Sequence, residues 1–282
     1  MGMRRENRLY VVFLVGIAVI FVLIDIVPVY WIGLSAITPV GKVFWSGWGR
    51  YLPLNLTLEN FRKLFLALPY GRYFLNSMLV CTVSASISIF LALLASYAFA
   101  RLHFRGKNLV FWLLLASMML PGIAMVIPVF QLFKVLNLIN TLIGLIILFS
   151  SNLLPFTIWV TTSFFDQVPR ELEEAAFIDG ATFWQTFVRV VLPLMRPIVA
   201  SMLVINFIAA WNDLIWPLVL SLKPAAKLLT NGLVEAASIG GELAAPWETI
   251  SAMSSIMIIP VILIVLFFQR QIMAGLLAGA FK

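Results

Sequence analysis

The chain has 282 residues, 62% of them hydrophobic and 11% charged, with a formal net charge of +7. That is too apolar for a soluble core, where about half the residues are apolar and about a quarter charged, and the basic excess has no soluble domain on which to form a nucleic-acid patch. One cysteine, Cys81, and one histidine, His103, exclude an intrachain disulfide and a zinc or haem site, which needs several soft or imidazole ligands.

A helix needs about 20 apolar residues to cross a bilayer. Six stretches meet that need, at residues 9–32, 73–100, 109–133, 142–165, 198–220 and 250–269. The first is too long for a cleavable signal and has no small-residue cleavage site; its Asp25 reaches interface water. Residues 38–72 form a Trp-, Pro- and Gly-rich connection. Within it Thr57 and Asn60 make a poor capping box ahead of a helix. The second span carries Asn76, an ordinary helix–helix contact, and Cys81, a small apolar packer. His103 falls in the short loop "RLHFRGKN". The third span carries Met118 and Met119, expected in the core. The fourth carries Asn152; it and Asn76 are weaker pathway candidates than the polar residues of the fifth span, with ordinary helix–helix contact as the alternative for each. Prolines 28, 121, 128, 155, 217 and 260 interrupt five of the six spans. Each frees a carbonyl and kinks its helix, which a membrane tolerates where neighbours or a cavity re-satisfy the backbone. So many kinks favour a moving bundle over a passive anchor.

Lys and Arg near the span ends set orientation. With the N-terminus inside, eleven lie on the cytosolic side and eight outside. "RLHFRGKN" decides the margin, so both termini and residues 166–197 are expected in the cytosol.

That connection, residues 166–197, is unusual. Five of the twelve acidic residues fall in it: Asp166, Glu171, Glu173, Glu174 and Asp179. Pro169 suits the first turn of a helix, and three glutamates follow where the helix dipole favours negative charge. Gly180 can take the left-handed conformation that ends a helix. Thr182 and Gln185 form a T-x-x-Q capping box for a second helix, which Pro193 and Pro197 stop. The tip exposes small residues beside carboxylates, a surface that another protein can approach closely and grip with arginines.

In the fifth span, Asn206 and Asp213 are seven apart and share a helical face, with Trp211 and Asn212 beside them. Polar groups inside a span are costly and mark function. A structural or gating role is favoured over direct contact with a ligand.

The segment "EEAAFIDGATFWQTFVRVVLPLMRP" resembles the EAA loop of inner-membrane permease subunits of ABC importers. "PVYWIGLSAITP", "YFLNSMLV", "AAWNDLIWPL" and "FFQRQIMAGLLAGAFK" resemble the carbohydrate, maltose-type second permease of that family, over nearly the whole chain. The resemblance implies an all-α membrane protein with a type I ABC importer permease fold: one domain, 1–282, of six transmembrane helices. It implies that Glu173, Glu174, Ala175, Ala176, Asp179 and Gly180 form a coupling helix docking on an ATPase, with Phe187, Leu192 and Pro193 as scaffold. It implies a tail reaching the ATPase through Gly275, Gly279 and Lys282, although Ala280–Lys282 departs from the family's ending. The partners implied are two ATP-binding subunits, a second related permease, an extracytoplasmic binding protein and the inner-membrane bilayer, with no nucleic acid.

No cofactor is expected in this chain. It lacks a G-x-x-x-x-G-K-[ST] loop to cradle phosphates, so ATP and Mg would be bound by the ATPase and the chain is not itself an enzyme. Transport of a polyol, glycerol phosphate, amino acid or peptide, or ion-driven secondary transport, are the alternatives. No arginine in the spans awaits a phosphate, and few carboxylates are there to couple an ion.

Overall fold

The computed structural model describes residues 5–39, 41, 55–238 and 246–280, and side chains between residues 10 and 269. Every regular element in them is helical. Four helices are long and apolar enough to cross a membrane, or six if two sharply bent helix pairs each count as one.

The chain divides into two compact units, Met1–Tyr70 with Leu233–Ile259, and Gly71–Gly232 with Pro260–Lys282. In the first, α1 (Arg5–Ala36) continues through Pro28, and its side chains from residue 10 to 30 are exposed. α2 (Glu59–Ala67) follows. Thr57 Oγ1 accepts from the Glu59 N–H at 3.1 Å, but Asn60 is not its capping partner. The Asn60 amide is buried and donates instead to the carbonyls of Ala36 and Thr38, at 2.8 and 2.7 Å. It satisfies acceptors that the end of α1 leaves open.

The second unit is built on α3 (Tyr70–Arg101) and α6 (Leu142–Phe165). The ends of α6 coincide with the expected fourth span. Its first turn is capped by Thr141, whose hydroxyl accepts from the Gly144 N–H. Small residues on α3 allow the two helices a close approach. Ser84, Ala85, Ser88, Ala92 and Ser96 are all fully buried, and hydroxyls stitch the seam. Ser96 Oγ donates to the Ile158 carbonyl at 3.0 Å, Ser84 Oγ to Ile146 at 3.3 Å, and Ser150 Oγ back to Ser84 at 3.4 Å. Cys81 is buried in α3, as expected.

Two spans differ from expectation. The third is α4 (Lys107–Ser117), a 3₁₀ turn (Gly122–Met125) and α5 (Val126–Val135), bent by 95°. Pro121 is extended, with ψ 123°, and has no N–H to carry the helix on. Met118 and Met119 sit at this break, 46% and 84% exposed, not in a core.

The fifth span is not continuous over 198–220. After α7 (Glu171–Ile178), α8 (Phe183–Thr186) and α9 (Leu192–Leu194), α10 (Arg196–Trp211) stops at Trp211. The short α11 (Ile215–Leu220) resumes after the break. α12 (Leu229–Ser238) and α13 (Trp247–Ala280) complete the chain, Pro260 lying inside α13. Gly275 and Gly279 fall on α13; Lys282 lies outside the described residues.

Candidate functional site

The connection between α6 and α10 is held by an unusual concentration of polar and aromatic contacts. α7 begins two residues after Pro169, which therefore precedes the helix and is not in its first turn. Glu171, Glu173 and Glu174 occupy that first turn. Gly180, at φ +81°, closes α7 with paired bonds: Gly180 N–H to the Phe177 carbonyl at 3.0 Å and Ala181 N–H to Ala176 at 2.9 Å. This is the Schellman arrangement, which needs a left-handed residue after the cap.

The capping box follows as expected. Gln185 N–H donates to Thr182 Oγ1 at 3.3 Å, and Thr182 N–H donates to Gln185 Oε1 at 2.8 Å.

Pro193 does not stop the second helix. Phe187–Val191 widen into a π-helical turn, with the Leu192 N–H reaching back five residues to the Phe187 carbonyl. The wider turn accommodates a proline that can neither donate nor tolerate the usual carbonyl beneath its ring. A bend of 71° then separates Phe183–Leu194 from α10.

The scaffold of this loop is aromatic. The Tyr97 ring meets Phe165, Phe183 and Phe187 edge-on, with centroids at 5.7, 5.3 and 5.0 Å. Tyr97, Phe165, Phe187, Val191 and Met195 belong to one buried cluster with Ile89 and Leu93 of α3. Leu192 and Pro193 are half-buried beside it.

Polar contacts fix α7 to the end of α3. Glu173 is 5% exposed. Its Oε1 lies 2.6 Å from Arg101 Nε, and its Oε2 accepts from Tyr97 Oη at 2.7 Å. Arg101 also donates to the Val168 carbonyl at 2.7 Å, and Arg170 to the Ala100 carbonyl at 3.2 Å. Glu173 thus departs from the expectation that it faces a partner: both its oxygens are spent inward. Arg101 and Tyr97 escaped the sequence reading. Arg101 counted there only as a charge at a span end, and Tyr97 as one more apolar residue.

The other five residues expected on the docking face lie together. Glu174, Ala175, Asp179 and Gly180 are exposed, and Ala176 is half-buried. Among them Ile178 is 86% exposed. Of the loop's exposed apolar side chains Ile178 is the most exposed, and it lies on α7 close in sequence to the carboxylates of Glu174 and Asp179.

The polar residues of the fifth span do not form one site. Asn206 is fully buried, and its amide donates to Thr157 Oγ1 of α6 at 2.9 Å. Because α10 ends at Trp211, Asp213 is off the helix and does not share the face of Asn206. Asp213 Oδ1 instead accepts from the Trp216 N–H at 3.1 Å, capping α11. Asn212 is exposed. Trp211 is buried, stacked on Phe207 at 5.3 Å and edge-on to Phe74 at 6.2 Å. Asn76 bonds the Ala225 and Lys227 carbonyls at 3.0 and 2.9 Å, supporting the chain after α11. Among the described residues no group of three His, Cys, Asp or Glu side chains gathers to hold a metal ion.

Residues 84–276 match the family model described as binding-protein-dependent transport system inner membrane component. The chain is 35% identical over 258 residues to the trehalose transport system permease protein SugB of Mycobacterium tuberculosis, covering 91% of this chain and 92% of that protein. It is 30% identical over 282 residues to the trehalose/maltose transport system permease protein MalG of Thermococcus litoralis, covering 99% of each. A chain from the crystal structure of a bacterial ABC transporter involved in the import of the acidic polysaccharide alginate has the same fold. Its TM-score is 0.80 at 22% identity, over 96% of this chain and 99% of that one.

Proposed function

The chain belongs to the binding-protein-dependent transport system inner membrane component family, and from that premise we propose that it forms half of the membrane pathway of an ATP-driven sugar importer. The sugar assignment is supported by relatives named for trehalose and maltose that align over nearly their full length. The rest of the transporter, on this reading, is a second related permease, two ATP-binding subunits that hold ATP and Mg, and an extracytoplasmic binding protein. Both termini and the α6–α10 loop face the cytosol.

The observation that carries the coupling role is the contrast between the two faces of α7. One face is bolted inward through Glu173. The other presents Ile178, 86% exposed, flanked by Glu174 and Asp179. An apolar side chain left in water on a rigid mount is a docking feature. Its chemistry asks for an apolar pocket rimmed by arginine or lysine. When the ATPases close on each other, α7 moves with them, and the mount passes that movement to α3. The α13 tail, through Gly275, Gly279 and Lys282, is a second contact of the same kind.

The test is co-purification from native membranes, comparing the wild type with Glu174→Lys and Gly180→Trp. Recovery of an ATPase and a second permease with the wild type, and loss of the ATPase with both variants, is the expected result. A wild type that purifies alone and transports on an ion gradient would refute the reading.

A further inference from the structure

A groove of about 450 Å³ lies between α3 and the bend that leads into α10. Ile89, Phe90 and Leu93 form its α3 wall, Leu192 stands before the bend, and Val199 and Leu203 face it from α10. The groove thus occupies the angle of the 71° turn between Phe183–Leu194 and α10.

Its depth follows from the helices. Arg196 is the first residue of α10, and Leu203 is seven residues further on, about 10 Å along the helix at about 1.5 Å per residue. On α3, Leu93 precedes the terminal Arg101 by eight residues, about 12 Å. Both walls therefore run from the end of the span most of the way to the middle of a hydrocarbon core ~30 Å thick.

The wall chemistry is divided along that depth. Ser86 also lines the groove, but its hydroxyl donates to the Thr82 carbonyl of its own helix at 2.8 Å. The rest of the wall beyond Arg196 is apolar. Among the described residues Arg196 is the one charged side chain in the groove. It is exposed, and it makes no hydrogen bond or ion pair among those residues. Arg101 and Arg170, at the same end of the unit, are by contrast held by Glu173 and by the carbonyls of Val168 and Ala100.

An arginine at the edge of hydrocarbon turns its head group toward the polar interface, and its planar fork fits a phosphate with two parallel bonds. The apolar channel beside it gains by excluding water. A phospholipid joins both needs in one molecule. The guanidinium has no carboxylate beside it in the groove, so a headgroup of net negative charge is favoured, as in the lipids of the cytosolic leaflet.

We infer that this groove is an anionic-phospholipid site, in which Arg196 holds the headgroup phosphate and one acyl chain lies against Ile89, Phe90, Leu93 and Leu203. Its place in the cytosolic leaflet rests on the orientation proposed above; the pairing of guanidinium and apolar channel does not. Seated in the angle of the bend, the lipid braces α10 against α3.

The experiment uses the protein purified in detergent from native membranes with the chains that accompany it. Dioleoyl phosphatidylglycerol and dioleoyl phosphatidylcholine are titrated in, and bound lipid is counted by native mass spectrometry. The wild type is compared with Arg196→Gln, Arg196→Lys, Leu93→Trp and Leu203→Trp, and with Arg189→Gln, which removes an exposed charge outside the groove. A photoreactive benzoyl-phenylalanine at position 90, where Phe90 is 59% exposed, is activated in native membranes to identify what touches the wall. The wild type should bind phosphatidylglycerol at least fivefold more tightly than phosphatidylcholine. Arg196→Gln should lose that preference, and Arg196→Lys should keep part of it. Either tryptophan, by filling the channel, should lower binding fivefold or more with Arg196 still in place. Arg189→Gln should stay within twofold of the wild type, and the photoproduct should be a lipid adduct. Equal binding of the two lipids by the wild type, or unchanged binding in Arg196→Gln, would overturn the site. So would an equal loss in Arg189→Gln, which would reduce it to general surface charge. A photoproduct with a second permease would overturn it as well, making the groove a subunit contact. A wild type that shows the lipid preference but purifies without an ATPase would count against the importer reading and leave the site standing.

Discussion

Arg101 Nε stands 2.6 Å from Glu173 Oε1, with 8% and 7% of the two side chains exposed. The pair joins the last turn of α3 to the first turn of α7. Removing one member of a buried ion pair leaves the other uncompensated, at a cost of about 3–5 kcal/mol. Glu173→Ala is therefore expected to lower the thermal midpoint in detergent and to raise amide exchange through residues 166–182. Arg101→Met combined with Glu173→Leu is expected to recover much of the loss. Equal stability of Glu173→Ala and the wild type would show that the pair holds nothing.

Gly180 sits at φ +81° with open space where a Cβ would stand. A substitution there meets strain and no clash. Gly180→Ala should cost about 1–2 kcal/mol, and Gly180→Asn less, since asparagine tolerates the left-handed region. Thermal unfolding of both variants measures the difference. If Ala and Asn prove equally harmless, the turn is not strained in the way its φ demands.

Thr182 accepts the Gln185 N–H at 3.3 Å. Losing such a cap costs about 1 kcal/mol. Thr182→Ala should speed exchange of the amides at residues 183–186, and Thr182→Ser should restore protection. Unchanged exchange in the alanine variant would count against a working cap.

Asn206 and Thr157, both fully buried, meet through an amide donated at 2.9 Å. A double-mutant cycle with Asn206→Leu and Thr157→Val should give a coupling of about 0.6 kcal/mol, and at most about 1.7 kcal/mol, the range for hydrogen bonds between membrane helices. The double variant should cost less than the sum of the two single changes, because each single change leaves a buried polar group unsatisfied. Strict additivity would mean that the contact contributes nothing to α6–α10 packing.

Local signals in the sequence carried far. α6 was legible to its ends because Thr141 caps it and its apolar run is long. The Gly180 turn and the Thr182–Gln185 box were legible because each is written within a few residues. What stayed hidden was long-range direction. Glu173 and Glu174 are neighbours of the same type, and only Arg101 and Tyr97, some 70 residues earlier, decide which of them turns inward. Helical faces also misled beyond a break: Asn206 and Asp213 share one only if α10 outlasts Trp211, and it does not. Proline marked Pro121 as a kink, yet a 95° bend depends on what the chain packs against on either side.

The hydroxyl seam between α3 and α6 has a mechanical consequence. Thr161 Oγ1 reaches both the Thr157 carbonyl at 2.6 Å and the Ile158 carbonyl at 3.3 Å, and Ser96 Oγ bonds Ile158 while also meeting Thr161. These two hydroxyls each have a second partner within reach, and the fully buried α3 residues along the seam from Ser84 to Ser96 (Ser84, Ala85, Ser88, Ala92 and Ser96) are all small. Such a surface resists being pulled apart but offers little friction to sliding, as in shear motions of packed helices. It would behave as a slip plane through the centre of the unit. A leucine wedged at Ser88 should jam it, slowing turnover of an otherwise assembled transporter.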